Sequence, residues 1–106
     1  MRILLDECLP LDFRHSFPGH DVHTTQWARL KGKKNGELLR TAEVSGYEVL
    51  LTVDHGIPHQ QNLTGRKLSI ITIGSKTNQL EDLLPFVDAI LDALKTIMPG
   101  QIVPIG

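Results

Sequence analysis

The chain has little of what would mark a secreted or membrane protein. It holds one cysteine, Cys8, so no internal disulfide can form, and a reducing, cytoplasmic location is expected. We expect Cys8 to be a small buried residue after a strand. The apolar runs are only a few residues long, far below the roughly 20 residues that cross a bilayer, so no membrane partner is expected. The N-terminal Met1–Glu7 ends in two acids without an extended apolar region, which does not fit a signal peptide.

A large excess of charge of either sign is also missing. Eleven basic and 12 acidic residues give a net charge of -1, which argues against a protein that coats nucleic acid by charge alone. A nuclease is still compatible with this balance, because carboxylates that hold a metal ion offset basic residues elsewhere. The chain has 106 residues, 41% of them hydrophobic, and no internal repeat. Residues 1–106 are therefore predicted to form a single globular domain.

Short apolar runs alternate with helical or loop stretches, a pattern typical of βα units. The pattern predicts an α/β fold: a three-layer sandwich with a mostly parallel sheet of about five strands. Pro85 should kink or split the last helix. The predicted strands are Met1–Asp6, Asp21–Thr25, Glu48–Val53, Lys67–Ile73 and Gln101–Ile105, and the predicted helices are Leu9–Phe17, Gly36–Ser45, Pro58–Leu63 and Gln79–Met98.

Two of the predicted buried strands end in carboxylates, Asp6 and Asp54. In open α/β sheets the ligand crevice lies beyond the carboxyl ends of the strands, so both acids would point into it if their strands are neighbours. Mg²⁺ suits such a pair, because it takes oxygen ligands from one or two carboxylates together with waters and substrate phosphate. The alternative is that each Asp only caps a following helix. Glu7 and Glu37 are open to the same two interpretations, as metal ligands or as acids near helix N-termini.

Four segments, in this order and spacing, resemble the small stand-alone PIN-like domains of unknown function. The resemblance is clear over about residues 1–75. The segments are Leu4–Pro10 (LLDECLP), Gly19–Val22 (GHDV), Asn35–Ala42 (NGELLRTA) and Leu50–Asp54 (LLTVD).

The resemblance implies a PIN-like sheet whose acidic cluster binds Mg²⁺ or Mn²⁺ and cuts RNA. Many PIN proteins are the toxin half of bacterial toxin–antitoxin pairs, so an antitoxin protein is an implied partner, and a homo-oligomer is left open. By motif, Asp6 matches the first metal-binding acid and Asp54 the acid after the Thr-x-Asp strand end. Asn35 stands where such families usually have Asp, and Gly56 stands where they often have a second Asp. The predicted site therefore combines Asp6, Glu7, Glu37 and Asp54, with support from Asn35, Thr52 and His55.

A basic connection follows the second predicted strand. Its cations could contact phosphates while Trp27 stacks on a base, which would suit single-stranded RNA. The alternative is a solvated loop with a partly buried Trp. The residues concerned are Trp27, Arg29, Lys31, Lys33 and Lys34.

Other functions remain open on sequence grounds. The departure at Asn35 favours a catalytically inactive PIN-like module that binds RNA or a partner protein. A phosphoacceptor receiver domain would also carry an acid pair after its first strand and an Asp after its third, as Asp6-Glu7 and Asp54 do. Against it, the connection from Asp54 to the next strand is short, and Ile102–Ile105 contains no Lys to contact a phosphoryl group. A zinc site from the histidines lacks an obvious third ligand.

Overall fold

The computed structural model describes residues 1–33, 35–54, 63 and 65–106. Within these ranges five strands form one parallel sheet in the order β2-β1-β3-β4-β5, as the α/β prediction requires. The strands are β1 (Arg2–Leu5), β2 (Asp21–Thr24), β3 (Val49–Thr52), β4 (Ser69–Ile73) and β5 (Ile102–Ile105).

The central strands are buried along their whole length. Every residue of β3 and β4 is buried, which explains their consecutive apolar residues, since both faces of a parallel sheet are covered. Side chains alternate between the two faces: Ile3 and Leu5 pack into one core, and Leu4 between them packs into the other. The chain therefore folds as three layers with the sheet in the middle.

Different helices cover the two faces. Helix α1 (Asn35–Val44) supplies Leu38, Leu39 and Ala42 to the core on one face. The other face packs against a 3-10 helix (Leu11–Ser16) and a C-terminal helical segment, with Phe13 fully buried between them and the sheet. Among the helices in the described part of the chain, none is long and apolar enough to span a bilayer.

Of the four predicted helices, one is shorter than predicted, one is broken by a turn and one lies largely outside the described residues. The predicted helix Leu9–Phe17 is shorter and is a 3-10 helix, which begins directly after Pro10. The predicted break near Pro85 is present: the C-terminal segment consists of α2 (Leu80–Leu83), a 3-10 turn (Leu84–Phe86) and α3 (Val87–Thr96). Pro85 lies in that turn because proline cannot donate the backbone hydrogen bond that would continue an α-helix. The predicted helix Pro58–Leu63 lies outside the described residues, apart from Leu63 itself.

The strand order reverses between β1 and β3. The chain passes from β1 outward to β2 and then crosses back to β3, which pairs with the other side of β1 through Ile3↔Val49 and Leu5↔Leu51. Ligands of open α/β sheets bind beyond the carboxyl ends of the strands at such a reversal. The residues that follow β1 and β3 are the ones that the sequence singled out.

Candidate functional site

Asp6 directly follows β1 and is only 9% exposed. Its backbone N–H donates to the Leu51 carbonyl at 2.9 Å, which extends the pairing of β1 with β3 by one residue. Its Oδ1 accepts a bond from the Glu7 backbone N–H at 2.9 Å, and its Oδ2 accepts one from the Thr52 hydroxyl at 2.7 Å. Burying a carboxylate without hydrogen-bond donors is costly, so these bonds hold Asp6 at the carboxyl end of β1.

Thr52 joins the two strand ends. It is fully buried at the end of β3, and besides donating to Asp6 it accepts a hydrogen bond from the Asp54 backbone N–H at 2.9 Å. Thr52, which the sequence predicted as a supporting residue of the site, thus hydrogen-bonds one of its carboxylates. The Thr52 hydroxyl therefore fixes both the Asp6 carboxylate and the backbone of Asp54. Asp54 itself is an exposed residue.

Cys8 belongs to the same group of polar atoms. Its Sγ lies 3.6 Å from Asp6 Oδ2 and 3.8 Å from Thr52 Oγ1. Burial raises the pKa of the Cys8 thiol, and the Asp6 carboxylate raises it further. The sequence predicted a buried packing residue, but Cys8 is partly exposed and has polar partners as well as core contacts. No local pattern could have signalled the contact with Thr52, which lies 44 residues away along the chain.

Glu7 and Lys31 border a cleft beside Asp6. The Glu7 carboxylate is exposed and accepts a bond from the Gly32 backbone N–H at 3.3 Å, which ties it to the connection after β2. A cavity of about 240 Å³ opens here, so one cation and two acids border the same space. Its lining consists of Asp6, Glu7, Leu9, Leu11, Thr24, Thr25, Gln26 and Lys31.

Glu37 has a cationic partner of its own. Lys33 Nζ lies 2.9 Å from Glu37 Oε1, across one turn at the start of α1. This hydrogen bond and the Lys33 charge lower the pKa of Glu37, which is an exposed residue of the first turn. Glu37 as a metal ligand stays a prediction, and Lys33 is engaged by an acid. His55, Lys34 and the side chain of Asn35 lie outside the described residues.

A divalent ion fits this donor set only as a water-rich site. Across residues 1–33, 35–54, 63 and 65–106, no three side chains of His, Cys, Asp or Glu are grouped so that they could hold a metal ion. The carboxylates of Asp6 and Asp54 follow neighbouring strands, and Mg²⁺ needs only one or two carboxylates because it retains several waters. A closed zinc site does not fit His23, whose Nε2 lies 2.7 Å from Asp21 and whose Nδ1 lies 2.8 Å from the Tyr47 hydroxyl.

The basic connection is only partly directed at the cleft. Lys31 lines it, whereas Arg29 is exposed with a positive φ of 61°. Trp27 is 66% exposed, with its ring on the imidazole of His23. Binding of RNA by this connection stays a prediction.

Comparison of the chain with protein-family models, with curated proteins and with solved structures gave no match. The PIN-like resemblance therefore rests on the sequence motifs alone.

Proposed function

We propose that the chain is a PIN-like ribonuclease that uses Mg²⁺ or Mn²⁺ to hydrolyse single-stranded RNA in the cytoplasm. One observation carries the proposal: Asp6 and Asp54 follow neighbouring strands at the point where the strand order reverses, and the Thr52 hydroxyl links them. Carboxylates at such a position suit a cation, or an anionic substrate that a bound cation links to them. That the substrate is RNA and that an antitoxin protein is a partner are inferred from the resemblance to PIN-like domains.

Each residue has a role in this proposal. Asp6 and Asp54 would hold the ion, with Glu7 at the rim of the cleft. Thr52 is a positioning residue, because its hydroxyl reaches Asp6 directly and Asp54 through the backbone. Lys31 faces the same cavity and would bind a phosphate of the substrate. When bound, the ion would supply activation of a water molecule and stabilisation of charge on the attacking and leaving oxygens.

A binding module without catalysis is the first competing function. The donor set of the described residues favours it, because Glu37 is engaged by Lys33 and no third ligand joins the two Asp residues. Asn35 in place of the expected Asp points the same way. Such a module would bind RNA or a protein and would bind Mn²⁺ without turnover.

The strand order favours a second competing function. The order β2-β1-β3-β4-β5 is also that of doubly wound domains such as the phosphoacceptor receivers. In that case Asp54 would accept a phosphoryl group, and the buried Thr72 of β4, which pairs with Thr52, would lie one strand away. Against it, β5 (Ile102–Ile105) contains no Lys. Acetyl phosphate should label wild type and not Asp54→Asn if this function is correct.

Mn²⁺ binding by calorimetry, with cleavage of single-stranded RNA assayed in the same buffer, tests the proposal. We expect Asp54→Asn to weaken Mn²⁺ binding at least about tenfold and to abolish cleavage, because it removes a ligand charge. The matched control is Asp92→Asn. The Asp92 side chain, on α3, is 78% exposed. It borders a cavity with Pro18 and His20, which precede β2 and so lie at the opposite end of the strands from Asp6.

The outcomes separate the nuclease from the binding module. Cleavage that disappears in Asp54→Asn but not in Asp92→Asn supports the nuclease. Mn²⁺ binding without cleavage supports the binding module. If millimolar Mn²⁺ does not bind at all, or if both variants bind it equally, the acids are structural and the proposal is wrong.

A further inference from the structure

Trp27 forms an exposed aromatic surface with a fixed support. Its ring lies on the imidazole of His23, with 3.9 Å between ring centroids and 34° between ring planes. Since His23 contacts one part of the ring and 66% of Trp27 is exposed, much of the remaining indole surface is open to solvent. We call Trp27 and the side chains that support it, His23 and Tyr47, the Trp27 platform.

The support of the platform is rigid. Both ring nitrogens of His23 have partners, with Asp21 at 2.7 Å and the Tyr47 hydroxyl at 2.8 Å. Tyr47 is itself buried, and the Arg2 guanidinium lies 4.7 Å from its ring centroid. The backbone of Trp27 is fixed as well, because its N–H donates to the Thr24 hydroxyl at 3.1 Å. A ring held in this way loses little conformational entropy when it binds a ligand.

The platform borders a second cavity of about 240 Å³. Leu11 and Thr24 line both this cavity and the cleft beside Asp6, so the two spaces adjoin. Arg14 also lines the second cavity, and its guanidinium donates to the Leu11 carbonyl at 2.8 Å. The same guanidinium lies 3.9 Å from the Asp12 carboxylate in a solvent-exposed ion pair, which a phosphate would have to compete with. The ligand that fits is therefore planar, able to stack, and negatively charged close to the stacked ring.

We propose that the Trp27 platform binds one unpaired base of a single-stranded nucleic acid, with an adjoining phosphate at Arg14. The choice of RNA rests on the proposed function. The inference adds the path of the RNA, which would run from Trp27 past Leu11 and Thr24 to the cleft beside Asp6. A duplex does not fit, because its bases are already stacked and paired. Stacking on an aromatic side chain tolerates any base, so the platform increases affinity without setting sequence preference.

Trp27 is the only tryptophan of the chain, so intrinsic tryptophan fluorescence reports this site alone. We would titrate wild type with short single-stranded oligoadenylate in EDTA, where metal-dependent cleavage cannot occur. Saturable quenching is expected. An abasic oligonucleotide of the same length retains the phosphates and should leave the fluorescence nearly unchanged. Equal quenching by the abasic strand, or quenching only by an aromatic peptide, overturns the inference.

Variants test the same contact without relying on fluorescence. By anisotropy of a labelled oligonucleotide, Trp27→Ala should weaken binding by about 5- to 150-fold. The control is Met98→Ala, because Met98 is 65% exposed but follows α3 and borders a different cavity with Met1 and Glu48. It should change affinity less than about twofold. If the two variants weaken binding equally, the platform has no special role.

The outcomes distinguish this inference from the proposed nuclease. Base-dependent quenching together with no RNA cleavage in Mn²⁺ supports the platform and counts against the enzyme. Cleavage without quenching overturns the platform and leaves the enzyme intact. Asp92→Asn should quench like wild type in EDTA, since Asp92 borders neither of the two adjoining cavities.

Discussion

Replacing Thr52 by valine removes one hydroxyl and nearly nothing else. The two side chains have similar shape, and Thr52 is fully buried, so the change should leave no cavity. Lost are the 2.7 Å bond that the hydroxyl donates to Asp6 Oδ2 and the 2.9 Å bond that it accepts from the Asp54 N–H. The new methyl group would face a carboxylate that is 9% exposed.

The cost follows from the two bonds. A hydrogen bond to a charged group contributes about 1.5–3 kcal/mol, and a neutral one about 0.5–1.5 kcal/mol. Cys8 Sγ, at 3.6 Å from Asp6 Oδ2, is too weak a donor to replace the hydroxyl. Thr52→Val should therefore lower the free energy of unfolding by about 2–4 kcal/mol. For a domain of this size that corresponds to a fall in Tm of about 10–20 °C.

Urea unfolding followed by circular dichroism measures this change. Thr52→Ser is the control, because it keeps the hydroxyl and loses only a buried methyl group, at a cost of about 0.5–1.5 kcal/mol. The reasoning is refuted if Thr52→Val lies within about 0.5 kcal/mol of wild type. It is also refuted if the serine variant is as unstable as the valine variant, because the methyl group would then account for the loss.

The double-mutant cycle of Thr52→Val with Asp6→Asn locates the effect. If the hydroxyl acts through the Asp6 carboxylate, the two losses should be less than additive by at least about 1 kcal/mol. Additive losses would mean that Thr52 stabilises the fold through other contacts.

Three further predictions concern α1 and its surroundings. Leu39→Ala should lower the free energy of unfolding by about 2–5 kcal/mol in urea, whereas Val44→Ala on the same helix should change it by less than about 0.5 kcal/mol, because Leu39 is fully buried and Val44 is 82% exposed. Burial raises the pKa of Tyr47, the only tyrosine, so the midpoint of its tyrosinate absorbance should lie above pH 10.0. The neutral Tyr47 hydroxyl contributes stability that is fully present below the pKa of the unfolded chain. This contribution is lost as the pH rises through the pKa of the folded protein. Glu37→Gln should weaken Mn²⁺ binding less than Asp54→Asn in calorimetry, because Lys33 already engages Glu37; an equal loss would make Glu37 a ligand.

Much of the fold could be predicted from local patterns. The consecutive apolar residues of β3 and β4 indicated strands buried on both faces, and they are. Pro85 indicated the break in the C-terminal helix, because its effect on the backbone needs no partner. The exact form of the Leu11–Ser16 segment was not predictable, since a single short turn can be α-helical or 3-10 at little difference in energy.

The candidate site was predicted in its residues more than in its contacts. Asp6 and Asp54 were identified because acids directly after buried strands need a partner. The placement of Glu37 beside Lys33 was within reach, because the two are four residues apart near the start of one helix. The contacts of Cys8 with Thr52 and of His23 with Tyr47 were not, because they depend on which strands and turns become neighbours.

The sequence by itself determined the class of fold and the residues able to carry chemistry, because hydrophobic periodicity, proline geometry and the cost of burying a carboxylate act locally. The tertiary structure alone decided which strand ends meet. Thr52 reaches Asp6 across 46 residues of chain only because β3 crosses back to pair with β1, and that order follows from packing helices on both faces of the sheet. The same packing decided that the Tyr47 hydroxyl lies 2.8 Å from His23, 24 residues away along the chain, and so holds the ring on which the exposed Trp27 lies.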